Sequence, residues 1–304
     1  MIVVVGSIAL DSIETPTDKA EEVLGGSATF ICASASRLAP TAVIGIVGDD
    51  FPSPYRELFQ KWCFDVSGLA VSPGRTFRWG CRYHPDMIHR DTLFTELGVF
   101  ESFSPLVPAH LRGCPYVGLG NIHPLQQMQV LDQMDHPEWV VADTMKLWID
   151  IAREDLDRLI GRVNALVIND EEARQLTGCI SLAAAAEHLL AMGPAAIIIK
   201  RGEHGASLHT RDGQFYSPAF PLASVKDTTG AGDTFLGGLV GWIAHQKNCD
   251  VETIKQGISI GSCLASFTVE SSGVTRLDSI SRQEIQARLD GLENLVRVQP
   301  FVID

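Results

Sequence analysis

Nine residues, Asp227 to Phe235 (DTTGAGDTF), place a carboxylate one residue past a glycine turn and at the head of an apolar run. The run continues through Leu236, Leu239, Val240, Trp242 and Ile243 at helical spacing, which predicts a helix with Asp233 in its first turn. At such a start the amides of Gly230, Ala231 and Gly232 lack helical partners and lie at the positive end of the helix dipole, which makes an anion site. An anion cradle beside a carboxylate suits phosphoryl transfer: the amides meet the charge on the transferring group, and the carboxylate takes the proton of the attacking hydroxyl. The same residues also suit a tight turn with an Asp cap. They approach a dinucleotide fingerprint, but Phe235 occupies its third glycine position, and no GxxxxGK[ST] occurs in the chain.

Two further sets follow apolar runs. Asn169 and Glu172, three apart after ALVI, share one face, a spacing that serves a phosphate or metal site or a capping box equally well. Lys200, Gly202 and Gly205 follow AAIII, where a strand ends in a glycine-bearing turn; this is either a place for a nucleotide to approach backbone or an ordinary hairpin.

The elements that must position these groups alternate. Strand-like runs fall at 2–5, 42–47, 139–142, 166–168 and 196–200, and helical patterns at 28–38, 125–134, 182–192, 232–245 and 251–269. Alternation of this kind predicts a mainly parallel sheet covered by helices on both sides. Two stretches, about 11–24 and 75–103, are richer in polar, aromatic and β-branched residues than buried parallel strands should be. They read as a small extra sheet projecting from a single domain that spans 1–304, or as a plain solvated excursion.

Composition narrows the partners. A chain of 304 residues with 45% hydrophobic content can fill a sizeable core, and a formal charge of −13 argues against a nucleic-acid or anionic-membrane surface. Seven scattered cysteines without a CxxC pair suit reduced thiols in the cytoplasm rather than a disulfide framework or a zinc site. MIVVVGSIAL lacks the basic flank and cleavage pattern of a signal peptide, and no run of 18 apolar residues suggests a membrane span.

DTTGAGDTF resembles the signature of the ribokinase-like carbohydrate kinases, the PfkB family. The likeness extends along the chain: Gly6 and Asp11 in VVVGSIALDSI, Gly25 and Gly26 in GGSATF, Gly45, Gly48 and Asp49 in GIVGDDF, NDEE, KRGEHG, and ASFTVESSGV near the C-terminus. It implies a three-layer α/β/α fold with a small β-sheet lid at about 11–24 and 75–103, the lid also serving in relatives as a homodimer surface. It implies an ATP-dependent kinase that phosphorylates a hydroxyl, a primary CH2OH, of a small-molecule sugar, polyol or nucleoside, with Asp233 as general base and the amides of residues 230–232 as anion hole.

Asp11, Gly25 and Gly26 match acceptor-binding positions, although Asp11 also suits a turn. Asn169 and Glu172 match the pair that organises Mg2+ through water and the ATP phosphates, and Lys200, Gly202 and Gly205 match nucleotide-binding positions. Asp227 and Thr229 match a monovalent cation site, for which K+ is the expectation. Ser27 and Phe30 replace the lysine and asparagine of ribokinase proper, which argues against ribose itself and against a phosphorylated sugar unless Arg75, Arg78, Arg82 or Arg90 supplies the cation. Phe77, Trp79 and Tyr83 could stack on a nucleobase or pack the lid. DTMKLW, from Asp143 to Trp148, imperfectly resembles a stretch of hexose and ketoacid-sugar kinases.

Overall fold

The computed structural model describes residues 1–87 and 89–298. The chain begins with β1 (Ile2–Val5), β2 (Ala9–Glu14), β3 (Lys19–Gly25), α1 (Ser27–Ala35), β4 (Thr41–Gly48), α2 (Ser53–Trp62), β5 (Asp65–Ser72), β6 (Phe77–Tyr83) and β7 (Arg90–Glu96). The middle holds β8 (Tyr116–Leu119), α3 (Pro124–Leu131), β9 (Trp139–Asp143), α4 (Lys146–Ile151), α5 (Arg153–Ile160), β10 (Ala165–Asn169), α6 (Asp170–Thr177) and α7 (Leu182–Ala191). It ends with β11 (Ala196–Lys200), β12 (Ala206–Thr210), β13 (Gly213–Ser217), α8 (Ala231–Gln246), α9 (Val251–Thr268), α10 (Thr275–Ser279) and α11 (Arg282–Val296).

The main sheet has the order β13-β12-β11-β10-β9-β8-β1-β4-β5. The seven strands from β11 to β5 run parallel, and β12 and β13 are antiparallel additions at one edge. Successive strand residues feed opposite cores. Ile2, Val4, Val141, Val167 and Ile198 pack on the face covered by α1, α8 and α9, whereas Val3, Val5, Ala142, Leu166 and Ile197 pack on the face of α3, α5 and α7. An apolar residue at every position is what a strand buried on both faces requires, so these runs were legible as strands. β1 lies between β4 and β8, so the strand order reverses there; in open α/β sheets a ligand crevice opens outside the carboxyl ends at such a point.

A second sheet, of order β3-β2-β6-β7, stands apart from the first and is laid down by the two excursions that broke the alternation. β2 pairs parallel with β6, and β3 and β7 flank them antiparallel. Its own small core holds Ile13, Cys81 and Tyr83, with Val23, Trp79 and Met87 packed against it. The excursion predicted at 75–103 includes Ile88, which lies outside the described residues. Past Glu96 it leaves the sheet for a 3-10 turn at Gly98–Ser102, and Phe103 joins the main core.

α8 crosses β1, β8 and β9 and packs closely on α9 through glycines. A Cβ on Gly238 would sit 2.8 Å from Gly261 Cα, and one on Gly261 would sit 2.6 Å from the Phe235 carbonyl oxygen. Neither neighbour can move without shifting a helix backbone. Gly261→Val is therefore expected to cost about 1–3 kcal/mol of stability, read as a lower urea midpoint; an unchanged midpoint would show that the two helices are not held at this distance.

Candidate active site

The start of α8 is set by Gly230, whose left-handed φ of 77° a side-chain-bearing residue would adopt only under strain. Its carbonyl accepts the Thr234 amide at 2.8 Å and launches the helix. The sequence predicts free amides at Gly230, Ala231 and Gly232. The Ala231 amide instead makes a long turn bond of 3.3 Å to the Thr228 carbonyl, and the amides of Gly230 and Gly232 make no backbone bond among the described residues.

Three strand ends of the main sheet converge below that turn. Asp143 closes β9, Asn169 closes β10 and Lys200 closes β11. Lys200 Nζ donates to Asp143 Oδ2 at 3.0 Å, and a Cβ on Gly232 would lie 2.8 Å from the same nitrogen. Lys200 thus reaches from its strand to the glycine turn at the start of α8, and glycine at 232 leaves the ammonium room to do so. Burial alone would lower its pKa, but Asp143, Glu172 and Asp233 outweigh that effect and hold it above the ordinary lysine value.

Asp233 is half-buried, and its carboxyl is pushed up to about 7, first by desolvation and then by Asp143, against the pull of Lys200 and Arg90. Glu172 is raised to about 7 in the same way, by burial and Asp143, with Lys200 and the amides of Asn169 and Lys146 opposing. Asn169 and Glu172 do form a capping box on α6: the Glu172 amide donates to Asn169 Oδ1 at 2.8 Å and the Asn169 amide to Glu172 Oε2 at 3.0 Å. That box holds Glu172 within electrostatic reach of Asp143 and Lys200, so capping does not exclude a further role for the carboxyl.

The structure brings Asp11, Gly25 and Gly26 together. Asp11 is buried in β2, the Gly26 amide points at its carboxylate, and any side chain at Gly25 would overlap that carboxylate. The Asp11 carboxyl is pushed up to about 8, by burial first and then by Asp227 and Asp233, with Arg90 and the Gly26 amide opposing. Ser27 Oγ accepts the Ser7 amide at 3.0 Å and donates to the Asn121 carbonyl at 3.2 Å, while the Phe30 ring packs against Gly230. Those two replacements serve the frame of the site.

Asp227 Oδ1 accepts the Thr229 amide at 2.9 Å. Its Oδ2 is sealed from solvent and meets no donor in hydrogen-bond geometry, although the Ser272 and Thr229 hydroxyls lie near enough to oppose the burial that raises its pKa. Gly202 and Gly205 occupy the hairpin between β11 and β12, where the Arg201 amide donates to the Gly205 carbonyl at 2.8 Å. The hairpin reading holds, and the space where a Gly202 side chain would stand is open.

Sequence reasoning missed Asp143 as a site residue. The signal was present: WVVAD ends in a carboxylate as ALVIN ends in Asn169 and AIIIK in Lys200, one polar residue at the same end of three strands. It also treated four arginines alike. Arg75 pairs with Glu96, Arg78 with Glu22 and Asp50, and Arg82 with Glu14, whereas Arg90 makes no ion pair among the described residues.

Residues 130–280 match the pfkB family carbohydrate kinases. The chain is 33% identical over 300 residues to the aminoimidazole riboside kinase of Salmonella typhimurium, covering 89% of each protein. It is 28% identical over 265 residues to the cytidine kinase of Thermococcus kodakarensis, covering 84% of this chain and 93% of that one. The fold superposes on the Salmonella enterica aminoimidazole riboside kinase, crystallised with aminoimidazole riboside and an ATP analog, with a TM-score of 0.76 at 22% identity, over 95% of this chain and 99% of that one.

The field around Asp11 sets a pH dependence of stability. Its carboxyl titrates near 8 when folded and near its ordinary value of 3.8 when unfolded, so its contribution is complete below pH 4 and is lost as pH rises through about 8. Asp11→Asn stays neutral throughout. Thermal scans should place the variant's Tm roughly 4 °C or more above the parent at pH 9 and level with it near pH 4; equal Tm values at both pH values would contradict the assigned field.

Proposed function

This chain belongs to the pfkB family of carbohydrate kinases, and on that premise we propose that it transfers the γ-phosphate of Mg·ATP to a primary hydroxyl of a small sugar or polyol unit, free or as the ribosyl part of a nucleoside. The observation that carries the reading is the meeting of a raised carboxyl, Asp233, with the free amides of Gly230 and Gly232 and the ammonium of Lys200 at one helix start. Of the relatives that span most of the chain, the two with the higher identity are named for a nucleoside and a riboside, and a third for fructoselysine, which favours the nucleoside form of the acceptor.

In this reading Asp11 accepts hydrogen bonds from acceptor hydroxyls and so turns the reacting CH2OH toward Asp233. The backbone of Gly25 and Gly26 lets the acceptor lie close to Asp11. Asp233 takes the hydroxyl proton as the oxygen bonds to the γ-phosphorus and the bond from phosphorus to the bridging oxygen breaks, leaving ADP. The Gly230 and Gly232 amides, and Ala231 if its long turn bond yields, meet the negative charge spread over the transferring group. Lys200, Asn169, Gly202 and Gly205 border the nucleotide phosphates.

Among the described residues no group of three or more His, Cys, Asp or Glu side chains could hold a metal. The donor set suits Mg2+ that keeps its waters and comes with the nucleotide, Glu172 being the carboxylate that would hold it through water. When bound, Mg2+ neutralises charge between the β- and γ-phosphates. The buried, donorless Oδ2 of Asp227 with the Thr229 hydroxyl fits a monovalent cation such as K+. The small sheet, about 11–24 and 75–103, would cover the acceptor as a lid, with its exposed edge strand β7 available to a second copy.

ADP release from Mg·ATP, measured across cytidine, inosine, D-ribose, D-fructose and myo-inositol, should be stimulated by at least one acceptor. Asp233→Asn should lower turnover with that acceptor by roughly two to four orders of magnitude while ATP binding persists; near-parental turnover would remove Asp233 as the base. Replacing K+ with tetramethylammonium should slow the parent enzyme, and an unchanged rate would remove the cation assignment.

A further inference from the structure

Among the described residues Arg90 is the arginine of the small sheet that makes no ion pair with a carboxylate. Its guanidinium carbon lies 5.2 Å from the Trp79 ring centre and 5.8 Å from that of Tyr83, so two aromatic faces hold it in place. Its side chain keeps contact with solvent, yet it stands within electrostatic reach of Asp11, Asp227 and Asp233. From there Arg90 Nη1 donates to Tyr83 Oη at 3.1 Å, and Tyr83 Oη meets Thr229 Oγ1 at 3.0 Å.

A guanidinium has no acceptor, so the phenol accepts from Arg90. Between Tyr83 Oη and Thr229 Oγ1 either hydroxyl can donate. Thr229 is tied in turn to Asp227 by its backbone amide, which donates to Asp227 Oδ1 at 2.9 Å. Contacts therefore run without a break from Arg90 through Tyr83 and Thr229 to Asp227. A second, weaker contact holds the neighbouring residue: Thr228 Oγ1 donates to the Met87 carbonyl at 3.4 Å.

Both threonines belong to the loop that ends at Gly230, and Tyr83 is buried in the small sheet's own core. The chain therefore fixes the loop from the side opposite the main sheet. We propose that Arg90 is a positioning residue for phosphoryl transfer, holding the 227–229 loop through Tyr83 and Thr229 and thereby setting the anion-binding turn of α8 in register with Asp233. This rests on the reading of that turn as the phosphoryl-transfer site. It makes the small sheet a part of the catalytic geometry as well as a cover.

The test compares Tyr83→Phe, which removes one oxygen, with Arg90→Gln, their double variant and Asp233→Asn. The assay uses whichever compound of cytidine, inosine, D-ribose, D-fructose and myo-inositol best stimulates ADP release. Each single change should lower kcat roughly ten- to fiftyfold, with KM for ATP within about twofold and Tm near the parent's, and the double variant should lose no more than the worse single. Parental kcat in Tyr83→Phe, or losses that multiply in the double variant, would overturn the proposal. Should Asp233→Asn keep parental turnover, the reading of the site fails first; should it be inactive while Tyr83→Phe and Arg90→Gln turn over normally, the coupling alone fails.

Discussion

The ion pair between Lys200 and Asp143, 3.0 Å long and buried beneath the start of α8, is the contact on which the rest of the site depends. It ties the ends of β9 and β11 together and brings an ammonium against Gly232. Burying two charges costs about as much as their attraction returns, so the pair is weak support for stability alone. Its consequence is electrostatic. Asp143 pushes Asp233 and Glu172 upward, and Lys200 keeps either carboxyl from being lost to protonation altogether. With Asp11 and Asp227 added, five carboxyl groups stand near two cations, Lys200 and Arg90, and burial raises four of the five above their ordinary values, so protons neutralise part of that charge.

The two sheets divide the work by their burial. The main sheet is sealed on both faces, so its polar residues appear only where strands end, and Asp143, Asn169 and Lys200 end side by side. The small sheet is thin, with a core of a few side chains and an edge strand exposed along its whole length. It can carry polar and aromatic groups along its strands: Asp11 and Trp79 lie mid-strand and Tyr83 at the end of β6. The strand order of the main sheet reverses at β1, and the two sheets meet around the 227–230 loop.

Much of this was legible in the sequence. The apolar runs of β1 and β11 fix those strands to the residue, because continuous burial leaves no polar position inside them. The helix start at Gly230 and the two excursions that build the second sheet were likewise readable from glycine placement and from broken alternation. α2 and α5 escaped because each is short, and α11 because Ile285 and Leu292 are the buried residues among its fifteen. In the site, residue type marked Asp233, Asp11 and Glu172, but pairing did not follow from type. Whether an arginine in this region is spent on a carboxylate depends on which strands lie side by side, and Arg75, Arg78 and Arg82 are paired while Arg90 lies against Trp79 and Tyr83. Glu172 shows the converse: one spacing fitted a cap and a phosphate site, and the fold makes the cap while leaving the carboxyl near Asp143 and Lys200.

The central claim is that the start of α8 is where phosphate passes from nucleotide to acceptor. A crystal structure with Mg2+, a non-hydrolysable ATP analogue and the acceptor that stimulates ADP release tests it most directly. The account predicts the acceptor hydroxyl within hydrogen-bond distance of Asp233, about 2.6–3.2 Å, and the γ-phosphate against the amides of Gly230 and Gly232. A nucleotide bound away from this turn, or an acceptor hydroxyl turned away from Asp233, would contradict it.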